Sequence, residues 1–207
     1  MATKRSKSYS TLNADEIREM GIETILDAHD WGEPTPVEPS DWLKLTLQKN
    51  LRLPLSTEKA KSEFLIAPIV RELQRAHPEI TFFSGVSFNI EGEKLLNGTP
   101  DFTISGKPRR ADIESPMFCM VEAKNGVIED GFAQCAAEMY AAHLFNEQHG
   151  EARRTIYGVV TNAFDWVFLT LENNIIYIDK TRYYLNELPR LLAILHGIIG
   201  TVVVEKK

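Results

Sequence analysis

Met117-Phe118-Cys119-Met120-Val121-Glu122-Ala123-Lys124 is the stretch on which the reading of this chain turns. Met117–Ala123 is an almost unbroken apolar run, the mark of a central strand covered on both faces. It then closes on Glu122 and Lys124, whose side chains share one face of an extended strand. Charges at the end of a buried strand are costly to dehydrate without partners, so this ending needs a reason.

A second acid stands earlier in the chain. Asn97-Gly98 is a strong hairpin signal, and Pro100–Ser105 reads as the returning strand, with Phe102 and Ile104 alternating. Asp101 sits at the start of that strand, where its carboxylate can face a sheet edge or cleft. Two accounts are open. In one, Glu122 and Lys124 form a structural ion pair and Asp101 is solvated. In the other, Asp101, Glu122 and the Ala123 carbonyl supply oxygen ligands to a hard cation, Mg²⁺ or Mn²⁺. Lys124 would then orient a water or stabilise charge developing on a phosphate.

Around this pair the chain orders itself into elements. Asn13–Asp27 has a helical pattern through Ile17, Met20 and Ile25, interrupted by Gly21, and Ser40 looks like the N-cap of a short helix to about Asn50. Residues 1–55 thus read as a flexible N-terminus and helical extension, and residues 56–207 as the main domain. Ser56 or Thr57 can cap a long helix to Ala76, with a kink expected at Pro68. Ile80–Phe83 and Val86–Ile90 read as strands. A helix from about Asp130 to Gln148 follows the central strand. Thr155–Thr161, Trp166–Leu171 and Ile175–Asp179 read as further strands, the last two joined by Asn173-Asn174, and a final helix covers about Leu185–Ile199. The expected class is α/β, a mixed central sheet flanked by helices with an α-β-β-β-α-β core, a C-terminal strand pair and a last helix.

Two further residues join the candidate site. Of the acids on the long helix, Glu63 falls at helical spacing from Ile66, Val70 and Leu73, on the inward stripe where an unpartnered acid is unfavourable. Glu58 is explained by the helix dipole alone, and Glu72 flanks the stripe. Gln134 shares a helix face with Glu138, beside alanines that allow close packing near Lys124; it reads equally as a contact to a metal-bound water or DNA phosphate and as a polar helix edge.

The 207 residues suit one core with appendages, and 43% hydrophobic with 25% charged content is that of an ordinary globular protein. No apolar run approaches the roughly 18 residues of a membrane span. Lys4, Arg5 and Lys7 precede no apolar stretch, so a secretory signal is not expected and a cytoplasmic protein is. Cys119 and Cys135 are expected as free thiols. The net charge of −6 gives no general attraction to nucleic acid. A binding patch would have to come from Lys107, Arg109 and Arg110, from Arg153 and Arg154, or from Lys180 and Arg182, each equally readable as a solvated loop. The histidines lack zinc-type spacing, and no phosphate-binding glycine loop or Gly-x-Ser-x-Gly setting occurs.

Gly98-Thr99-Pro100-Asp101-Phe102, followed by Val121-Glu122-Ala123-Lys124, resembles the PD-(D/E)xK nuclease superfamily, and the order of elements from Ser56 to Thr161 is similar to its restriction-endonuclease-like core. The resemblance implies a metal-dependent nuclease acting on DNA, with Asp101 and Glu122 as ligands, Lys124 catalytic and Glu63 as the helix acid. Gln134 matches the glutamine of a subgroup related to bacterial recombination nucleases, whose tyrosine four residues later is Glu138 here. A homodimer would suit double-strand cutting. The rival expectation is a catalytically silent module of the same fold that binds nucleic acid or protein.

Overall fold

The apolar run becomes the middle of a sheet. In the computed structural model, which describes residues 7–27, 31, 34–90, 96–151 and 155–204, every residue of Met117–Ala123 is buried. In chain order the elements are β1 (Lys7–Ser8), α1 (Ala14–Glu19), β2 (Glu23–Asp27) and α2 (Asp41–Asn50). Next come α3 (Glu58–Lys61), α4 (Ala67–Ala76), β3 (Thr81–Ser84), β4 (Leu96–Asn97), β5 (Phe102–Ser105) and β6 (Met117–Ala123). The chain closes with α5 (Phe132–Gln148), β7 (Thr155–Thr161), β8 (Asp165–Glu172), β9 (Ile175–Asp179), β10 (Tyr183–Tyr184) and α6 (Leu188–Val204).

The main sheet has eight strands in the order β2-β9-β8-β7-β6-β5-β3, with β10 beside β8. The β6–β7 and β2–β9 pairs are parallel and the others antiparallel, so the sheet is mixed and the class is α/β. One face carries Val121, Ala123, Val159 and Phe168 under Leu43 and Leu47 of α2, Ile69 and Leu73 of α4, and Leu191 and Ile194 of α6. The other carries Met120, Val160 and Leu169 under the alanines of α5. Removing a side chain such as Leu73 or Phe168 from water stabilises the fold by about 1.5–3 kcal/mol. Among the described residues no helix is long and apolar enough to cross a membrane.

Side-chain hydrogen bonds set the register between β6 and α5. Buried Asn146 receives the Met117 N–H at 2.7 Å and donates to the Met117 carbonyl at 2.6 Å, as a neighbouring strand would. The helix runs back along β6 from there, so its first turns lie over the end of β6 that carries Glu122 and Lys124. Close approach needs a bare backbone at Gly158 of β7, where a Cβ would stand 2.8 Å from the Cys135 sulfur. Cys119 and Cys135 are both buried free thiols.

The long helix solves its proline locally. Thr57 accepts the Ala60 N–H at 3.1 Å as N-cap, and Ser62–Ile66 widen into a π-helical turn before α4 resumes. Pro68 has no N–H to offer the Phe64 carbonyl, and Asn50 at the end of α2 donates to that carbonyl instead, at 2.7 Å. Glu72 is buried and structural: it accepts the N–H and hydroxyl of Ser40 at 2.8 and 2.9 Å, tying the N-cap of α2 to α4.

Two elements differ from expectation. The helix expected over Asn13–Asp27 stops at Glu19, and Gly21 takes a left-handed φ of 81° before the chain re-enters as β2. Glu23–Asp27 then pairs residue for residue with β9 at the sheet edge, so the stretch before Ser56 contributes to the main sheet. The strand expected over Val86–Ile90 reduces to one bridge, Ile90 with Leu96. The Asn173-Asn174 turn between β8 and β9 is as expected, with φ of 50° and 64°, the conformation that suits a two-residue hairpin.

Candidate active site

Asp101 is positioned by its backbone before its side chain does anything. The Gly85 N–H donates to the Asp101 carbonyl at 3.0 Å, and the Phe88 N–H to the Gly98 carbonyl at 2.9 Å. Gly98 lies against the Tyr9 ring, where a Cβ would stand 2.5 Å from a ring carbon, so only glycine fits there. Tyr9 is itself anchored through its hydroxyl, which donates to the Phe88 carbonyl at 2.7 Å. Phe102 pairs with Val121, which puts Asp101 opposite Glu122 just past the last rung of the ladder. There the Asp101 carboxylate accepts the Ala123 N–H at 2.9 Å. Because N–H and C=O of one strand residue point to the same side, the Ala123 carbonyl also faces the Asp101 side.

On the α5 side of β6, Lys124 Nζ donates to Glu122 Oε1 at 2.6 Å and to Gln134 Oε1 at 3.0 Å. The Lys124 N–H donates to the Thr161 carbonyl at 2.7 Å, so the lysine stands at the carboxyl ends of the parallel β6–β7 pair, where open α/β sheets form their crevices. Gly131, in the turn entering α5, leaves room for its stem: a Cβ there would lie 2.6 Å from Val160 Cγ1 and 3.1 Å from Lys124 Cε. Gln134 Nε2 in turn donates to Glu138 Oε1 at 3.1 Å.

The electrostatics follow from burial. Only 3% of the Glu122 side chain is exposed, and its carboxyl is pushed up to about 7, first by burial and next by the Asp101 charge, against the pull of Lys124. Asp101 is raised by burial, an effect that the Ala123 N–H moderates. Glu138 is wholly buried and raised in the same direction by burial and by Glu122. Burial alone would lower Lys124, but Glu122, Glu58 and Asp101 outweigh it and the net shift is upward, so Lys124 is an ammonium here. Glu122 Oε2 and Glu138 Oε2 are buried oxygens with no hydrogen-bond partner. The cluster therefore holds more carboxylate than cation, and one of its unsatisfied oxygens belongs to Glu122.

Glu63 does not lie on the inward face expected of it. Its side chain is 56% exposed and pairs with Lys59 at 3.8 Å. The π-helical turn over Ser62–Ile66 takes an extra residue, so the inward stripe read from Ile66, Val70 and Leu73 does not extend back to Glu63 at 3.6-residue spacing. Glu58 comes to the site instead. Its Oε2 accepts the Asn125 N–H at 3.0 Å, and its charge raises both Asp101 and Glu122. Lys61, one turn later, donates to the Asn125 carbonyl at 2.5 Å. Nothing in composition or spacing separates Glu58 from an ordinary first-turn acid, because its role depends on where the loop after β6 passes.

Among the described residues no three Asp, Glu, His or Cys side chains form a ready metal-binding group. The Asp101 carboxylate, the unpartnered oxygen of Glu122 and the Ala123 carbonyl are all oxygen donors, the type a hard cation takes, and Mg²⁺ keeps several waters.

Several of the candidate basic residues pair with acids, Lys107 and Arg110 sharing the one Glu114. Lys107 and Arg110 pair with Glu114 at 3.7 and 3.5 Å, Lys180 pairs with Asp27 at 3.6 Å, and Arg182 pairs with Glu129. Arg153 and Arg154 lie outside the described residues. No protein-family model matches the chain, and a search of curated proteins returns no match.

Proposed function

We propose that this chain is a divalent-metal-dependent nuclease of the PD-(D/E)xK superfamily, with a restriction-endonuclease-like fold, that hydrolyses phosphodiester bonds in DNA. The observation that carries the reading is the junction at the end of β6, where Asp101 holds the Ala123 N–H and Lys124 bridges Glu122 and Gln134. Asp101, Glu122 and the Ala123 carbonyl would hold Mg²⁺ or Mn²⁺, with Glu58 behind them. The ion when bound supplies Lewis acidity toward the phosphate and a more acidic water.

The chain's own residues do the rest. Lys124, held as an ammonium, stabilises the negative charge that builds on the phosphoryl oxygens; a raised lysine is a poor base and a good electrostatic partner. Glu122 fixes the ammonium from one side and Gln134 from the other, which pre-orders it before substrate arrives. Asp101 spends one oxygen on the backbone and keeps the other for the ion.

A second reading is a silent module of the same fold that binds protein or nucleic acid. The pairing of Lys107, Arg110, Lys180 and Arg182 with acids favours it, since those cations are already engaged. Calorimetric titration with Mn²⁺ separates the two. The nuclease reading expects binding that disappears in Asp101→Ala, and absence of binding in the unaltered protein supports the module.

A further inference from the structure

We infer that Glu138 is a positioning residue that sets the orientation of the Gln134 carboxamide and, through it, holds the Lys124 ammonium; the catalytic meaning of this rests on the role given to Lys124 above. A lysine ammonium only donates, so it needs the oxygen end of Gln134, which lies 3.0 Å from Nζ. The amide nitrogen then points the other way and needs an acceptor in a buried setting. Glu138 Oε1, one helical turn later, is that acceptor at 3.1 Å.

A flip of the amide would put its NH₂ against the ammonium and remove the N–H that Glu138 Oε1 now accepts, a repulsive contact and a lost hydrogen bond in place of two favourable contacts. The acid at 138 thus makes a single orientation of Gln134 much the better one. An ordinary exposed pair of this spacing would have no such consequence, because water could serve either end. Here Glu138 is wholly buried, its Oε2 has no hydrogen-bond partner, and a carboxyl in that place costs stability. Lys124 spends two of its three N–H groups on Glu122 and Gln134, leaving one for a substrate oxygen. The relay Glu138–Gln134–Lys124 therefore aims the remaining donor.

The test is lysine acylation read by mass spectrometry, with exposed Lys59 as the internal reference. Relative to Lys59, Lys124 should acylate about tenfold faster in Glu138→Leu, as loss of a buried hydrogen bond loosens it. In Glu138→Gln the rate should stay within about twofold of the unaltered protein, because a carboxamide oxygen still accepts from Gln134. Gln134→Leu breaks the same relay at its middle and should speed labelling like Glu138→Leu, which decides the matter should the latter not fold. Unchanged labelling in folded Glu138→Leu or Gln134→Leu overturns the inference, as does equal labelling of Glu138→Gln and Glu138→Leu. In cleavage assays kcat should fall in Glu138→Leu with KM for DNA unmoved and recover in Glu138→Gln. The labelling result needs no nuclease activity, so failure of the nuclease reading and failure of the relay are separate outcomes.

Discussion

The Asp101 carboxylate accepts the Ala123 N–H at 2.9 Å, closing the gap between the turn before β5 and the end of β6. One side chain thus does two things: it completes the backbone hydrogen bonding at the sheet's end and presents charge to the site. Substitution separates them. Asp101→Ala strands the buried N–H and should lower unfolding free energy by about 1–3 kcal/mol. Asp101→Asn keeps an acceptor and should stay within about 1 kcal/mol of the unaltered protein, yet lose DNA cleavage by about a hundredfold or more. Urea unfolding and cleavage rates on the same two variants check both halves.

Gly131 is where the α5 turn meets the lysine. Gly131→Ala would drive a methyl into Val160 and the Lys124 stem, so one of them must move. The expected cost is about 1–3 kcal/mol, with cleavage falling by more than the stability loss explains. Thermal unfolding alongside kcat, measured well below the melting temperature, distinguishes the two effects.

Glu58 and Glu63 make a paired test of the helix acid. Glu63→Gln removes an exposed ion pair with Lys59 and should leave activity within about twofold and stability within about 0.5 kcal/mol. Glu58→Gln removes charge felt by Asp101 and Glu122 and should weaken Mn²⁺ affinity about tenfold. Calorimetry on the two variants side by side reads the difference.

Buried acids tie stability to pH. Glu122 is raised from about 4.5 to about 7, so the folded state holds its proton longer than the unfolded chain does. Its contribution to stability is full below about 4.5 and is lost as pH rises through about 7. Glu138 shifts in the same direction. Glu138→Gln should therefore gain stability over the unaltered protein at pH 8 relative to pH 4.5. Mg²⁺ should raise the melting temperature more at pH 8 than at pH 5.5, because above neutrality the cation takes the place of the proton. Melting curves across that range, with and without Mg²⁺, give both answers.

Much of this was legible in sequence because single residues carried it. The apolar run of β6, the Asn173-Asn174 turn, the Ser40 and Thr57 caps and the Gln134 helix all follow from local chemistry. What escaped depends on distant partners. Glu23–Asp27 reads as the continuation of a helical pattern through Ile17, Met20 and Ile25, yet it pairs as a strand with the edge that β9 offers. Glu63 falls off the inward face through a π-helical turn that a regular period does not describe. The Asn50 bond to the Phe64 carbonyl explains how the helix passes Pro68, and it joins two helices that no spacing connects.

Metal-dependent cleavage is the direct test of the central claim. Plasmid, linear and single-stranded DNA are incubated with the unaltered chain, Asp101→Ala, Glu122→Gln and Lys124→Ala in Mg²⁺ or Mn²⁺. The unaltered protein should cleave, chelation should stop it and each substitution should abolish it, with all four proteins folded. No cleavage of any of these DNAs by the unaltered protein, or cleavage that survives the loss of Asp101, Glu122 or Lys124, would contradict that claim.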